Sequence, residues 1–215
     1  MTEGFGIATG SYVAEREDWR RAIDRARHEG WRSVELTAVF ESLESSLAEV
    51  LAEDDGLLDG FERVSLHAPI RATSGPSLVE EIAALPLDGD VIFHPDAWAG
   101  ELALQRLGAR VLFENMDIAK RFGRTPDDLR TVFARHPDAG FCLDVAHVWT
   151  NDRSLQLGHA LLDEFGDRLR ELHVSGIEPD GTHRPTTRAD LELYRPLLDR
   201  CRGVPWILEA VVAEE

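Results

Sequence analysis

The sequence predicts a single α/β domain, a (β/α)8 TIM barrel, on three observations. Apolar runs alternate with helical signals at intervals of roughly two to three dozen residues, the spacing of successive β/α units. Most of those runs end in an acid or a histidine, and in such a barrel the C-terminal strand ends form the site. The competing architecture, an open doubly wound sheet, calls for a glycine-rich phosphate turn after its first strand. Gly4, Gly6 and Gly10 are too widely spaced and too early to supply it.

Taken in order, Gly4 to Thr9 reads as the first strand, followed by a helix from Asp18 to Glu29 that stops at Gly30. Ser33 to Thr37 is the second strand and carries Glu35. A helix from Ser42 to Glu53 leads to the third strand, Arg63 to Ala68, and a helix from Pro76 to Leu85 leads to the fourth, Asp90 to Pro95. Arg110 to Asn115 is the fifth. The next helix has the clearest start signal in the chain: Thr125 caps, Pro126 suits the first helical position, and Asp127 and Asp128 face the positive end of the dipole. It runs to Arg135. The sixth strand is the apolar stretch Gly140 to Trp149, the seventh Leu169 to Val174 and the eighth Pro205 to Ala210, with helices at Ser154 to Phe165 and Ala189 to Cys201 between them. Eight strands call for seven intervening helices, of which these signals place six, leaving the one between the fourth and fifth strands unplaced. The chain stops at Glu215, so the sequence predicts a barrel lacking the eighth helix, and the apolar face left open predicts a homodimer.

Side chains on a strand alternate between faces, so the residue two before each strand-end ligand shares its face. Those residues are Ser65, Ile92, Leu112, Cys142, Glu171 and Ile207. They predict one packed interior capped by a polar layer. Glu171 stands out, because a carboxylate pointing inward below His173 needs a partner such as an arginine.

With 215 residues and 43% apolar content, the chain can bury one substantial core. No apolar run is long enough to span a bilayer and no charged-then-apolar leader opens the sequence, which predicts a cytoplasmic protein. Cys142 and Cys201 do not make a disulfide framework and are expected as thiols. The net charge of -17, from 40 acidic against 23 basic residues, opposes phosphate backbones and anionic membranes. A small-molecule substrate is expected, and nucleic acid is not.

The chemistry follows from convergence. Glu114, Asp144, His173 and Glu209 come from the fifth to eighth strands and offer the mixed nitrogen and oxygen donor set that Mn²⁺, Fe²⁺, Co²⁺ or Zn²⁺ accepts. His67, His94 and His147 are candidates for further metal sites or for hydrogen bonds to substrate. Asp180 and His183, in the loop after the seventh strand, add another donor pair. Trp98 and Trp149 lie in loops at the mouth and suit stacking on a substrate; Arg71 and Arg184 suit a phosphate or carboxylate. His28, His136 and His159 lie in or beside helices and are expected at the surface.

Six motifs in order carry a resemblance: LHAP at Leu66 to Pro69, FHPD at Phe93 to Asp96, FENMD at Phe113 to Asp117, CLDVAH at Cys142 to His147, ELHVSG at Glu171 to Gly176 and ILEA at Ile207 to Ala210. Across essentially its whole length the chain resembles the xylose isomerase-like barrel superfamily, which includes sugar isomerases and epimerases and the endonuclease IV group. The resemblance implies a metal held by Glu114, Asp144, His173 and Glu209, with Glu114 and Glu209 also exchanging protons with substrate. The endonuclease branch implies a trinuclear zinc cluster that adds His67, His94, His147, Asp180 and His183; the spacing from Asp180 to His183 is one residue longer than that pattern. The tail is also similar to multinuclear iron oxygenases that modify peptide cysteines, where an Asn usually stands at the position of His147. The expected function is a divalent-metal-dependent isomerase or epimerase of a small hydroxy-carbonyl compound such as a sugar, working through an enediolate. The oxygenase and a metal-dependent phosphodiesterase are the alternatives.

Overall fold

The computed structural model describes residues 5–15, 18–38, 41–70, 75–178 and 182–209, with residues 41–45 described by their backbone alone. Eight parallel strands close into a barrel: β1 (Phe5–Ala8), β2 (Ser33–Thr37), β3 (Arg63–His67), β4 (Val91–Phe93), β5 (Val111–Glu114), β6 (Gly140–Asp144), β7 (Leu169–Val174) and β10 (Trp206–Leu208). Neighbours in sequence pair in order, and β10 closes the ring between β7 and β1. Two short strands, β8 (Gly176–Ile177) and β9 (His183–Arg184), form an antiparallel hairpin at the end of β7. The sequence reading did not foresee it.

Helices α1 (Trp19–His28), α2 (Glu41–Glu53), α3 (Pro76–Ala84), α5 (Pro126–Arg135), α7 (Gln156–Phe165) and α8 (Arg188–Leu198) match the six helices located in the sequence. In α1, Trp19, Ala22, Ile23 and Ala26 form the buried face at helical spacing, and the Asp18 side chain caps the start by accepting from Arg21 N at 3.0 Å. Gly30 ends it with φ of 81°, a left-handed conformation that glycine adopts without steric cost. Thr125 and Asp128 form a reciprocal capping box on α5, as Thr187 and Asp190 do on α8.

Three expectations are corrected. Between β4 and β5 there is no full helix, only the four-residue α4 (Pro95–Trp98) and two 3-10 turns, Leu102–Arg106 and Gly108–Arg110. The run from Gly140 to Trp149 is a strand only as far as Asp144; Val145–Asn151 is helix α6, capped by the Asp144 side chain, which accepts from His147 N at 2.6 Å. Val145, Ala146 and Val148 are buried on this helix, so its apolar residues continue the strand's pattern without a break. The expected absence of an eighth helix falls on residues 210–215, outside the described residues. His136, expected at the surface, is buried, with its Nε2 3.1 Å from Ala99 O.

Most of the core lies between strands and helices, where Phe93, Phe113, Phe141 and Trp98 are among the largest fully buried side chains. Inside the barrel, Ile92, Leu112 and Cys142 form a separate apolar cluster. A register shift at Phe141/Cys142 sets β7 one residue out of step, which brings Glu171 level with Cys142 and His173 level with Asp144 on the inner face. Among the described residues no helix is long and apolar enough to cross a membrane.

The capping box gives a direct check on this account of α5. Thr125→Ala should cost about 1 kcal/mol in denaturant unfolding, the usual value of a lost N-cap. Thr131→Ala, on the exposed face of the same helix, should stay within about 0.5 kcal/mol of the parent. Equal effects of the two changes would show that the cap contributes nothing.

Candidate metal centre

The ends of β5, β6, β7 and β10 each deliver one side chain to the C-terminal mouth. β5 ends in Glu114, β6 in Asp144 and β7 carries His173 one residue before its end, while Glu209 follows β10 with its N–H bonded to Val174 O at 3.1 Å. Asn115 locks the first two together: its side chain accepts from Asp144 N at 2.9 Å and donates to Asp144 O at 3.0 Å. Asn115 lies within the FENMD motif, and nothing in the sequence assigns it this role beyond its place directly after Glu114.

The four donors Glu114, Asp144, His173 and Glu209 each present an atom within 4.8 Å of the others. Glu114 Oε1 and Glu209 Oε1 both lie 3.3 Å from His173 Nδ1. Glu114 Oε2, Asp144 Oδ2 and Glu209 Oε2 are buried and have no hydrogen-bond partner. Among the described residues, every ion-pair partner of Glu35, Glu114, Asp144, Glu171 and Glu209 is a histidine; no lysine or arginine reaches them. Burying carboxylates without cationic or hydrogen-bonding partners is expensive. Converging unpaired oxygens beside an imidazole are what a divalent cation requires, so the residues present fit a metal.

Three further groups share a member with this set: Cys142, Glu171 and His173 share the histidine, and two others share a carboxylate. His67, His94 and Glu114 form one, with His94 Nε2 3.1 Å and His67 Nε2 3.6 Å from Glu114 Oε2. Asp144, His147 and His183 form the other, with the two histidine Nε2 atoms 3.4 Å apart. Backbone carbonyls hold the rings: His67 Nδ1 is 2.9 Å from Ala68 O and His147 Nδ1 is 2.9 Å from Asn115 O, so a proton on each Nδ1 leaves Nε2 free to ligate. The β8–β9 hairpin is what brings His183 to His147. Glu114 and Asp144 thus belong to two groups each, the arrangement needed for bridging carboxylates.

The remaining sequence candidates divide. Asp180 and Arg71 lie outside the described residues. Trp98 is fully buried against Phe93, with its indole N–H donating to Pro69 O at 2.8 Å, so it packs beneath the mouth and offers no face to a ligand. Trp149 sits on α6, half-buried under the Arg153 guanidinium. Arg184 is held by Asp190 through two hydrogen bonds of 2.7 and 2.8 Å and by Glu178 at 3.1 Å. Glu171 does point inward below His173, but its partners are Ser65, donating at 3.1 Å, and His173, where an arginine was expected. Arg170 alternates to the outside and pairs with Asp90.

Protonation follows from crowding. Burial opposes charge on His67, but the contact with Glu114 and the charges of Glu35 and Glu209 overcome it and lift its pKa to about 9. His147 is likewise raised to about 9, against burial, by Asp144, Glu114 and Glu209. Burial, then repulsion from Glu114, Asp144 and Glu35, raises Glu209 to about 8, although His173 pulls the other way. Burial alone would raise Glu114 too, yet His147 and His173 hold it well below the usual carboxylate range.

All three raised groups bind protons more tightly folded than unfolded, so their contribution to stability is complete below the ordinary pKa and fades as pH climbs through the folded one. For the histidines that window runs from 6.5 to about 9, and for Glu209 from 4.5 to about 8. The metal-free protein should therefore lose thermal stability between about pH 6.5 and 9 through these groups, and saturating Mn²⁺ or Zn²⁺ should reverse the trend, because cation binding displaces the same protons. A melting temperature that rises with pH in the presence of a chelator would contradict this electrostatic picture.

No family model matches the chain, and no curated protein does either. Solved structures do. A xylose isomerase domain protein from Alicyclobacillus acidocaldarius aligns over 98% of this chain and 89% of its own, with 17% identity and a TM-score of 0.64. A D-allulose 3-epimerase from Methylomonas sp. aligns over 95% and 83%, with 17% identity and a TM-score of 0.57. The probable 3-DHS dehydratase of Bacillus anthracis aligns over 98% and 93%, with 13% identity and a TM-score of 0.59. At such identities the likeness is one of backbone architecture, and it agrees with the order of strand-end motifs: the chain has the fold of the xylose isomerase-like TIM barrels.

Proposed function

We propose that the protein is a divalent-metal-dependent isomerase or epimerase of a small hydroxy-carbonyl compound such as a sugar. One observation carries the reading: Glu114 and Glu209, from non-neighbouring strands, approach the same atom, His173 Nδ1, at 3.3 Å each. Two carboxylates facing each other across a metal-binding point can take a proton from one position of a substrate and return it at another. When bound there, the cation supplies a Lewis acid for a carbonyl and its neighbouring hydroxyl. Asp144, fixed by Asn115, anchors the set, and the His147 ring is oriented to hydrogen-bond a substrate oxygen. The fold shared with an epimerase is consistent with this chemistry, and the charge of -17 favours a small molecule over nucleic acid.

A second reading is favoured by a specific observation, the pair of additional donor groups that share Glu114 and Asp144 with the first. Those groups suit a multinuclear centre, as in a phosphodiesterase or an iron oxygenase acting on a peptide. Anaerobic elemental analysis separates the two: one ion per chain supports the isomerase, and two or three support the multinuclear enzyme.

For the isomerase, Glu114→Gln and Glu209→Gln should each retain some metal yet slow turnover by at least about a hundredfold, the usual loss when general acid–base catalysis is removed. Solvent deuterium should enter the substrate carbon. Turnover that consumes O₂, demands a redox-active metal and washes no deuterium into any sugar tested under argon would replace the isomerase with the oxygenase.

A further inference from the structure

Barrels of this kind are ordinarily filled by layers of branched apolar side chains. Beneath the candidate metal centre this one is half polar: Ile92, Leu112 and Cys142 fill one side, while Glu35 on β2, Ser65 on β3 and Glu171 on β7 are buried on the other. The two acids converge on a single atom. Glu35 Oε2 lies 2.9 Å and Glu171 Oε1 3.5 Å from His173 Nε2, on the opposite edge of the ring from the Nδ1 that faces Glu114 and Glu209.

The two acids are not equivalent. Glu171 takes a hydrogen bond from Ser65, and both border a cavity of about 420 Å³ lined also by Arg63, Val64, Gly89 and Asp90, although Glu171 itself is buried. Glu35 is held more loosely. Its Oε1 has a long contact of 3.4 Å with Thr37 Oγ1, and its Oε2 has no aligned hydrogen bond at all. His173 Nε2 is in the same condition; Glu35 Oε2, at 2.9 Å, is nearer to it than Glu171 Oε1 at 3.5 Å, and the Cys142 thiol lies beside the same ring. An imidazole that donates through one nitrogen keeps its lone pair on the other, and the acceptor of that proton fixes which nitrogen ligates.

We propose that Glu35 is a positioning residue for the metal centre: it accepts the Nε2–H of His173 and so holds the Nδ1 lone pair toward the space shared by Glu114, Asp144 and Glu209. Glu171, tethered by Ser65 and 3.5 Å from the same nitrogen, is the subordinate partner. This assignment rests on the metal-binding half of the proposed function and does not depend on which reaction follows.

The test uses the full chain, with Zn²⁺ as the probe. Titration should show Glu35→Leu binding Zn²⁺ about 10- to 100-fold more weakly than the parent, the usual loss when a ligand's outer partner is removed. Glu35→Gln, whose amide oxygen still accepts, should lose less, and Glu171→Gln least of all. Nitrogen-detected NMR of the Zn²⁺-loaded parent should show His173, identified by the signal missing in His173→Gln, protonated on Nε2; in Glu35→Leu that single form should be lost. A purely structural glutamate would change the melting temperature and leave this signature alone. If Glu35→Leu does not fold, the shortened pair decides, because Glu35→Asp must bind Zn²⁺ more weakly than Glu171→Asp. Parent-like affinity and an unchanged His173 signal in the Glu35 variants, with Asp144→Ala unable to bind, would overturn the positioning role and leave the metal site standing. Parent-like binding in Asp144→Ala would remove the metal site itself.

Discussion

Five buried or nearly buried carboxylates, whose ion-pair partners among the described residues are all imidazoles, are the constraint on which this structure turns. Such a cluster works against folding unless positive charge is supplied, since the interior screens like charges far less than water does. Histidines supply some of it by taking protons, which is why His67 and His147 are pushed to about 9. A divalent cation would supply it better, because it satisfies the unpaired oxygens of Glu114, Asp144 and Glu209 together. Cation binding and the integrity of the barrel mouth would then be two aspects of one electrostatic balance.

The backbone arranges this balance with few devices. Parallel strands in unbroken order bring distant residues to one rim. One register shift between β6 and β7 puts His173 beside Asp144, and one hairpin carries His183 to His147. Asn115 ties the ends of β5 and β6 so that two carboxylates from different strands share one geometry. None of these devices is large, but each sets the position of a group that must be placed to within a fraction of an ångström to ligate a metal.

Much of this was legible in the sequence, for physical reasons that also mark where legibility stopped. β2 and β7 have the bounds read from their apolar runs, and α5 starts where its capping residues say it must. The strand-end acids and histidines were readable because a buried strand has few reasons to end in an ionisable group. The segment from Val145 to Trp149 misled because it is buried on nearly every side, and a short helix without a polar face has no period to distinguish it from a strand. The β8–β9 hairpin, two residues a side, is too short to leave a pattern. Trp98 read as a mouth residue because an indole's composition does not say which way it packs. The partners of Glu171 and the role of Asn115 depend on contacts between strands, and only the closed barrel creates those.

The central claim, that the mouth of the barrel is built around a cation, is tested most directly by anomalous diffraction from crystals grown with Mn²⁺. The account predicts a peak bounded by Glu114, Asp144, Glu209 and the Nδ1 edge of His173. A map with no peak there at saturating Mn²⁺, or with its peaks only at surface acids, would contradict it.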